Sequence, residues 1–234
     1  MTLSEDDVRH IAHLARLAVS PEESADYVAK LGPDKGVSND IAGVAFSPDE
    51  KRALVGIWAG KTQLWDLASG KLVTRVKTDA LNNQPLPLGK DRFVTKNGQR
   101  VEVWELASGK RLLELSGHDH NVLALAVSPD GTRVASGSID RSVRVWDLAG
   151  GKEVARMAGG VSFYFSVAYA PDGLRAAIAR GGYDDRARVW RDTQIRIVSL
   201  ETGRDLSVLG AGDAFQAVTA LAFSPDGKRL LSGH

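Results

Sequence analysis

The segment Ser128-Pro129-Asp130-Gly131, with Trp146-Asp147-Leu148 beginning 17 residues after its proline, is the part of the sequence from which the fold can be worked out. Both phrases return along the chain. The turn phrase recurs as Ser47-Pro48-Asp49, Ala170-Pro171-Asp172-Gly173 and Ser224-Pro225-Asp226-Gly227, and the tryptophan phrase as Trp65-Asp66-Leu67 and Trp104-Glu105-Leu106. The same spacing of 17 residues separates Pro48 from Trp65 and Pro87 from Trp104. One supersecondary unit is therefore copied along the chain.

Each copy of this unit predicts four antiparallel strands. Around Pro129, the run Leu123–Val127 is rich in β-forming residues and precedes the turn, and Arg133–Ser136 follows it. A third strand, Val143–Trp146, carries the tryptophan, and a Gly-Lys turn at 151–152 then opens a fourth. Four antiparallel strands in a unit of about 40 to 45 residues make one blade of a β-propeller.

The repeats predict a mainly β fold, an incomplete propeller of four repeats and part of a fifth. Their bounds are 41–80, 81–118, 119–160, 161–212 and, for the partial repeat, 213–234. With Pro87 taken as the second turn marker, the turn prolines lie 39 or 42 residues apart up to Pro171, but Pro225 lies 54 residues further on. About ten residues are therefore inserted in the hairpin between the second and third strands of the fourth repeat, within Gly181–Thr193.

The first 31 residues predict a pair of short helices instead of strands. Ser4 and Ser20 stand where helix caps are expected, and apolar residues follow each of them at helical spacing. Residues 32–40 are polar and rich in turn formers, which predicts a linker between the helical pair, 1–31, and the repeats, 41–234. The candidate docking face of the first helix consists of Val8, Ile11, Leu14 and Ala15.

Composition limits the classes of function. The 234 residues carry a formal net charge of +1, so no overall field attracts nucleic acid or an anionic membrane, and we expect neither as a direct partner. The absence of cysteine excludes disulfides and thiolate metal sites. The acidic first residues do not resemble a secretory signal, and no apolar run approaches the length of a membrane span. We expect a cytoplasmic protein.

No pattern predicts a catalytic, metal or cofactor site. His10 and His13 are three residues apart on a predicted helix, but no third ligand accompanies them at metal-binding spacing. The segment Gly56–Thr62 approaches a phosphate loop, yet it has three residues between its glycines instead of four and joins two strands. The sequence therefore favours a chain without catalytic residues, metal or cofactor.

Residues 41–234 resemble the WD40 repeat family, and the third repeat has the most complete set of family residues. The resemblance implies that a histidine, a serine, an aspartate and the tryptophan form a hydrogen-bonded chain. Those positions are His118, Ser136, Asp140 and Trp146, with Ser138 as the rival of Ser136. A buried imidazole and a buried indole N–H need such partners in any fold. We expect this role to be structural.

Residues 2–31 resemble the start of the small, C-type component of the bacterial aspartyl/glutamyl-tRNA amidotransferase. The resemblance rests on Val8–Ala18 and on Ser20-Pro21-Glu22-Glu23. In that family this small component is not catalytic, and it clamps the amidase. The resemblance therefore implies the amidase subunit of an amidotransferase as a partner. The family's longer second helix and crossing segment are absent from this chain.

The inserted hairpin is the candidate partner-binding element. It interleaves aromatic residues with guanidinium groups, a mixture suited to an interface hot spot, an anionic peptide or stacked bases. The candidate residues are Tyr183, Arg186, Arg188, Trp190 and Arg191. Asp184, Asp185 and Asp192 largely cancel the positive charge, so a solvated hairpin without a partner is the alternative.

The sequence as a whole predicts a non-catalytic scaffold that binds a protein or peptide. The alternative is an accessory subunit of the tRNA-dependent amidotransferase. Four repeats and part of a fifth are fewer than the seven usual in the WD40 family, so we also expect self-association through open propeller edges.

Overall fold

The computed structural model describes residues 41–47, 49–57, 61–77, 84–158, 162–184, 189–210 and 218–233. Within these residues all regular secondary structure is β-strand. The predicted helical pair, 1–31, and the linker, 32–40, lie outside the described residues. The described part of the chain is therefore mainly β, as the repeats predict.

Eighteen strands are described in chain order. They are β1 (Ile41–Phe46), β2 (Arg52–Ile57), β3 (Lys61–Asp66), β4 (Lys71–Lys77), β5 (Leu86–Leu88), β6 (Arg92–Asn97), β7 (Arg100–Glu105), β8 (Arg111–Leu115), β9 (Val122–Val127), β10 (Arg133–Ser138), β11 (Ser142–Asp147), β12 (Lys152–Ala158), β13 (Phe163–Tyr169), β14 (Arg175–Asp184), β15 (Val189–Ser199), β16 (Asp205–Gly210), β17 (Ala220–Phe223) and β18 (Leu230–Gly233).

The strands form four four-stranded sheets and one two-stranded sheet. The first sheet has the order β1-β2-β3-β4, the second β5-β6-β7-β8, the third β9-β10-β11-β12 and the fourth β13-β14-β15-β16, while β17 and β18 form the fifth. Spatial order follows chain order in each sheet, and neighbouring strands are antiparallel. A four-stranded antiparallel meander is the form of a propeller blade.

The chain divides into two compact units, each with its own apolar core. The first runs to Thr95 and includes Val103–Leu112, and the second consists of Lys96–Glu102 and the chain from Leu113 onward. The core of the first contains Leu54, Leu64, Val76, Phe93 and Leu106. The main core of the second is built from small and β-branched residues of the third and fourth sheets, such as Ala135, Val143, Val145, Ala176 and Ile178.

The turn phrase satisfies its own polar groups, which explains why it recurs. Ser128 Oγ donates to Asp130 Oδ1 at 2.5 Å and accepts from the Arg133 backbone N–H at 2.9 Å. The Gly131 N–H donates to the Ser128 carbonyl at 2.9 Å, and Gly131 has a φ of 67°. Glycine adopts this left-handed conformation without a steric cost. The first sheet has Glu50 at the corresponding place, with a φ of 57°.

The second sheet departs from the expected turn. Pro87 lies within β5 opposite Phe93, and is not a turn residue. Three residues join Leu88 to Arg92 after it, whereas four join Ser128 to Arg133 in the third sheet. Because the following β6–β7 turn is also one residue shorter than its counterpart, the spacing of Pro87 from Trp104 matches the other repeats by compensation. A proline is tolerated at this place because β5 is an edge strand.

The inserted residues of the fourth repeat lengthen one hairpin. β14 has 10 residues and β15 has 11, where β10 and β11 have 6 each. β13 pairs with β14 as far as Gly181, and β16 pairs with β15 as far as Gln194. β14 and β15 continue to pair beyond these points, through 182–184 and 189–191. We call this two-stranded extension the β14–β15 ribbon.

Candidate interaction sites

The structure brings the four residues of the predicted hydrogen-bonded chain together in the third sheet. His118 precedes β9, Ser136 lies on β10, Asp140 lies in the β10–β11 turn and Trp146 lies on β11. His118 Nδ1 is 2.7 Å from Asp140 Oδ2, and His118 Nε2 is 2.7 Å from Ser136 Oγ. The Trp146 indole N–H donates to the same Ser136 oxygen at 2.8 Å. A loop, two strands and a turn are thereby tied through side chains.

Burial makes these contacts matter. Trp146 is 2% exposed, Ser136 is 0% exposed and the His118 side chain is fully enclosed. An imidazole closed off from solvent does not reach a dissolved substrate, which favours a structural role over a catalytic one. Ser138 has a different task, because its hydroxyl donates toward the carbonyls of His120 and Asn121 at 2.9 and 3.0 Å and so holds the loop before β9.

Asp140 is the acceptor on which several donors converge. The Ser142 hydroxyl and backbone N–H donate to its Oδ1 at 2.6 and 2.9 Å, and the Asp119 N–H donates to Oδ2 at 3.1 Å. Burial alone would raise the pKa of Asp140, but the hydrogen bonds from Ser142 and His118 outweigh it and hold the pKa at about 2. Asp140 is therefore ionised at neutral pH.

His118 remains neutral beside this carboxylate. Its burial lowers the pKa of the imidazole, and the hydrogen bond and charge of Asp140 only partly oppose that effect. The neutral ring then donates from Nδ1 to Asp140 and accepts the Ser136 hydroxyl at Nε2, an assignment that follows from the network. The proton arrangement runs in one direction, from Trp146 through Ser136 and His118 to Asp140.

Two further residues of this cluster have no counterpart in the sequence prediction. Ser142 bonds to Asp140, and Arg144 lies buried on β11 with Nη1 2.7 Å from Glu153 Oε2 and Nη2 3.7 Å from Asp140 Oδ2. A Cβ on Gly117 would approach Arg144 Nη1 to 2.7 Å, so this guanidinium fits only beside a glycine. The Gly117-His118 pair was the only signal in the sequence for this close approach.

The other tryptophans have simpler partners. The Trp104 indole N–H donates to Thr95 Oγ1 at 2.9 Å, and Thr95 occupies the place of Ser136 on the second strand of its sheet. The Trp65 indole N–H donates to Gln63 Oε1 at 2.9 Å, two residues earlier on the same strand. The fourth sheet has Val198 at this place, where no donor exists.

The β14–β15 ribbon positions part of the candidate partner-binding set. Tyr183 lies directly opposite Trp190, and Gly182 lies opposite Arg191. The ribbon therefore brings the two aromatic residues to one register position on adjacent strands. Arg186 and Arg188 lie outside the described residues.

The remaining candidates also lie outside the described residues. These are the docking residues Val8, Ile11, Leu14 and Ala15, together with His10 and His13. Within the described ranges, no group of three or more His, Cys, Asp or Glu side chains is arranged to hold a metal ion. That part of the chain also contains no helix long and apolar enough to cross a membrane.

Comparison with known proteins identifies the repeat. The model of the WD40 family, described as WD domain, G-beta repeat, matches residues 109–147 and 206–234. The first match contains His118, Ser136, Asp140 and Trp146. The chain therefore contains WD40 repeats, and its four-stranded sheets have the form of WD40 blades.

Three curated proteins illustrate the similarity. Protein groucho of Drosophila melanogaster is 30% identical over 112 residues, which cover 45% of this chain and 15% of that protein. GID complex subunit 7 of Schizosaccharomyces pombe is 28% identical over 134 residues, covering 54% of this chain and 26% of that protein. Guanine nucleotide-binding protein subunit beta, also of Schizosaccharomyces pombe, is 40% identical over 55 residues, covering 24% and 18% respectively.

The chain spans between 15% and 26% of the length of these three relatives. None of the three is an amidotransferase subunit, and neither match of the WD40 model includes residues 2–31. The similarity to the small amidotransferase component and the implied amidase partner have no support beyond the sequence resemblance and stay predictions.

Proposed function

We propose that this chain is a non-catalytic scaffold that binds a protein partner, with the β14–β15 ribbon as its main docking element. The proposal is supported by one observation above all. The four-stranded sheets repeat a common plan, and in the described residues strand pairing extends beyond that plan at the ribbon. A segment that exceeds a structural repeat is free to serve binding, since the sheet is complete without it.

The base of the ribbon is rigid. Four successive residues of β14 are 0 to 1% exposed where the strand lies within the fourth sheet: Ala176, Ala177, Ile178 and Ala179. Their register with β13 and β15 is continuous. The ribbon therefore extends from a packed sheet, and binding a partner would cost little ordering of its base.

The composition of the ribbon fits a protein interface. Tyr183 and Trp190 stand opposite each other, and Arg191 follows. Tyrosine, tryptophan and arginine are the residue types enriched in the energetic centres of protein interfaces. The outer edges of the two ribbon strands also have no neighbouring strand among the described residues. Their backbone groups are available to pair with a partner segment.

The names of two relatives agree with this proposal. GID complex subunit 7 is by its name part of a complex, and the guanine nucleotide-binding protein subunit beta is by its name one subunit of an assembly. Association with other proteins is therefore the kind of function we propose here, without any of those partners being assigned to this chain.

The test is quantitative co-purification with the full chain and two variants. Trp190→Ala changes the ribbon, and Leu174→Ala, an apolar residue 66% exposed in the β13–β14 turn, is the matched control. We expect Trp190→Ala to reduce the captured partner at least about 10-fold, as for a hot-spot residue, while Leu174→Ala retains it. Equal capture by Trp190→Ala and the unaltered chain would remove the ribbon from the proposal.

A further inference from the structure

The free edge of β18 is the feature that carries a further inference. In the four-stranded sheets the second strand lies between two neighbours. In the described residues of the fifth sheet, β18 is also the second strand but pairs only with β17. One edge of β18 therefore presents backbone N–H and C=O groups to which a strand could be added.

Exposure shows that β18 lacks a cover that its counterparts have. The turn before each of these strands gives the alignment, since the Arg229 N–H donates to Ser224 Oγ as the Arg133 N–H donates to Ser128 Oγ. Leu231 corresponds to Ala135 and is 74% exposed. The residues at this place in the other sheets are all 0% exposed: Leu54, Val94, Ala135 and Ala177.

An arginine at the start of the strand specifies one contact. Arg52 and Arg133 lie opposite Asp66 and Asp147, the acidic residues that follow the tryptophans of the third strands. Arg52 and Asp66 form an ion pair. Arg229 has the same place before β18, is exposed and has no ion pair within the described part of the chain. It lacks the carboxylate that a neighbouring third strand would supply.

A hydroxyl three residues later specifies a second contact. Ser136 and Thr95 accept the indole N–H of the third-strand tryptophan at 2.8 and 2.9 Å. Ser232 corresponds to them on β18, by the same alignment. Among the described residues the Ser232 hydroxyl has no hydrogen-bond partner.

We infer that the free edge of β18 binds, from a partner protein, an extended antiparallel strand that carries tryptophan followed by aspartate or glutamate. The tryptophan lies opposite Leu230, as Trp146 lies opposite Val134, and its indole N–H donates to Ser232. The carboxylate lies opposite Arg229. Backbone pairing supplies affinity, and these two side-chain contacts supply specificity.

A second copy of this chain fits the edge less well. If β18 paired antiparallel with β18, centred on the strand, Leu231 would lie opposite Ser232 and Arg229 would face no carboxylate. Neither free group would gain its partner. Strand addition by a Trp-Asp or Trp-Glu segment satisfies both.

The experiment uses the full chain and a fluorescently labelled synthetic peptide with the sequence of Ser142–Leu148, SVRVWDL. Anisotropy titration should show saturable binding. A peptide with phenylalanine in place of tryptophan should bind about 5-fold more weakly, the effect of one hydrogen bond, and Ser232→Ala should abolish that difference. A peptide with lysine in place of aspartate should also bind more weakly, and Arg229→Glu should restore its binding.

Matched variants separate this site from its surroundings. Arg204→Glu changes another exposed arginine, after β15, and should leave all peptide affinities unchanged. Trp190→Ala on the ribbon should also bind the peptide normally, so this inference and the proposed function fail independently. Absence of saturable binding at millimolar peptide would overturn the inference. Equal affinities with Arg229→Glu and Ser232→Ala, or peptide binding that only displaces a second copy in sedimentation, would do the same.

Discussion

The first and third sheets contain the same turn and the same tryptophan, but they hold that tryptophan differently. In the third sheet Trp146 is 2% exposed and its indole reaches Ser136 on the neighbouring strand, which continues to His118 and Asp140. In the first sheet Trp65 is half-buried and its indole bonds to Gln63 on its own strand. The repeated phrase therefore specifies strands and turns, while a cross-strand network needs additional residues.

The chemistry of one position on the second strand accounts for much of this difference. Ser136 supplies an oxygen that accepts from the indole and donates to the imidazole. The first sheet has Val55 at the corresponding place, 3% exposed and without a polar atom. A buried indole N–H that loses its acceptor costs about 1 to 3 kcal/mol, so Trp65 bonds locally and stays nearer to solvent.

The largest expected effect comes from removing the acceptor at the end of the network. Asp140→Ala leaves donors of His118, Ser142 and the backbone unpaired in a buried site, so we expect the free energy of unfolding to fall by about 3 to 5 kcal/mol. Asp66→Ala in the first sheet removes a partly exposed partner of Arg52 and should cost about 1 kcal/mol or less. Urea unfolding of both variants measures the difference, and equal losses would contradict the contrast between the sheets.

Acidification should weaken the third sheet in two steps. The folded pKa of Asp140, about 2, lies below its unfolded value near 3.9, so its contribution is complete above about pH 4 and is lost as pH falls toward 2. This loss amounts to about 2 to 3 kcal/mol. Burial lowers the pKa of His118, so its neutral form stabilises the fold above about pH 6.5 and that contribution declines below it.

The variants that isolate these steps are Asp140→Asn and His118→Gln. Unfolding midpoints measured from pH 7 to pH 2.5 should lose the lower step in the first variant and the upper step in the second. An unchanged pH profile in both would show that the network does not control acid stability.

A smaller effect separates the two tryptophans. Trp146→Phe removes the donor to Ser136 and leaves unfilled volume in a buried site, so we expect a loss of about 1 to 3 kcal/mol. Trp65→Phe removes a bond to Gln63, whose amide then turns to water, at a cost below about 1 kcal/mol. Thermal unfolding ranks the two variants, and the reverse order would break the comparison.

The smallest expected effect concerns the turns. Glu50 and Gly131 share a left-handed conformation, which costs a non-glycine residue about 1 to 2 kcal/mol. Glu50→Gly should therefore stabilise the first sheet by up to about 1 kcal/mol, since the added freedom of the unfolded chain offsets part of the gain. Gly131→Ala should destabilise the third sheet by about 1 kcal/mol. Chemical denaturation of both variants checks that the signs are opposite.

The strands were predictable where the chemistry is local. A Ser-Pro-Asp-Gly turn satisfies its own donors and acceptors, so Ser128–Gly131 marks a strand boundary without knowledge of the rest of the fold. Pro87 was misleading for the same reason. Its repeat lacks the turn phrase, and two loops that are each one residue shorter restored the expected spacing to Trp104.

The cluster around Asp140 was only partly predictable. Its four main residues follow from resemblance, but Ser142 and Arg144 become visible only when the β10–β11 pairing and the loop at Gly117 are known. The β14–β15 ribbon was predictable as an insertion from spacing. The opposition of Tyr183 and Trp190 required the register, which spacing does not determine.

Hydrogen exchange of the intact chain, followed by mass spectrometry of peptides from the first and third sheets, tests most directly the claim that equal turns build unequally tied sheets. We expect the backbone amides of β10 and β11 to exchange at least about 10-fold more slowly than those of β2 and β3, and Asp140→Ala to remove most of that difference. Equal protection of the two sheets in the unaltered chain would contradict the claim.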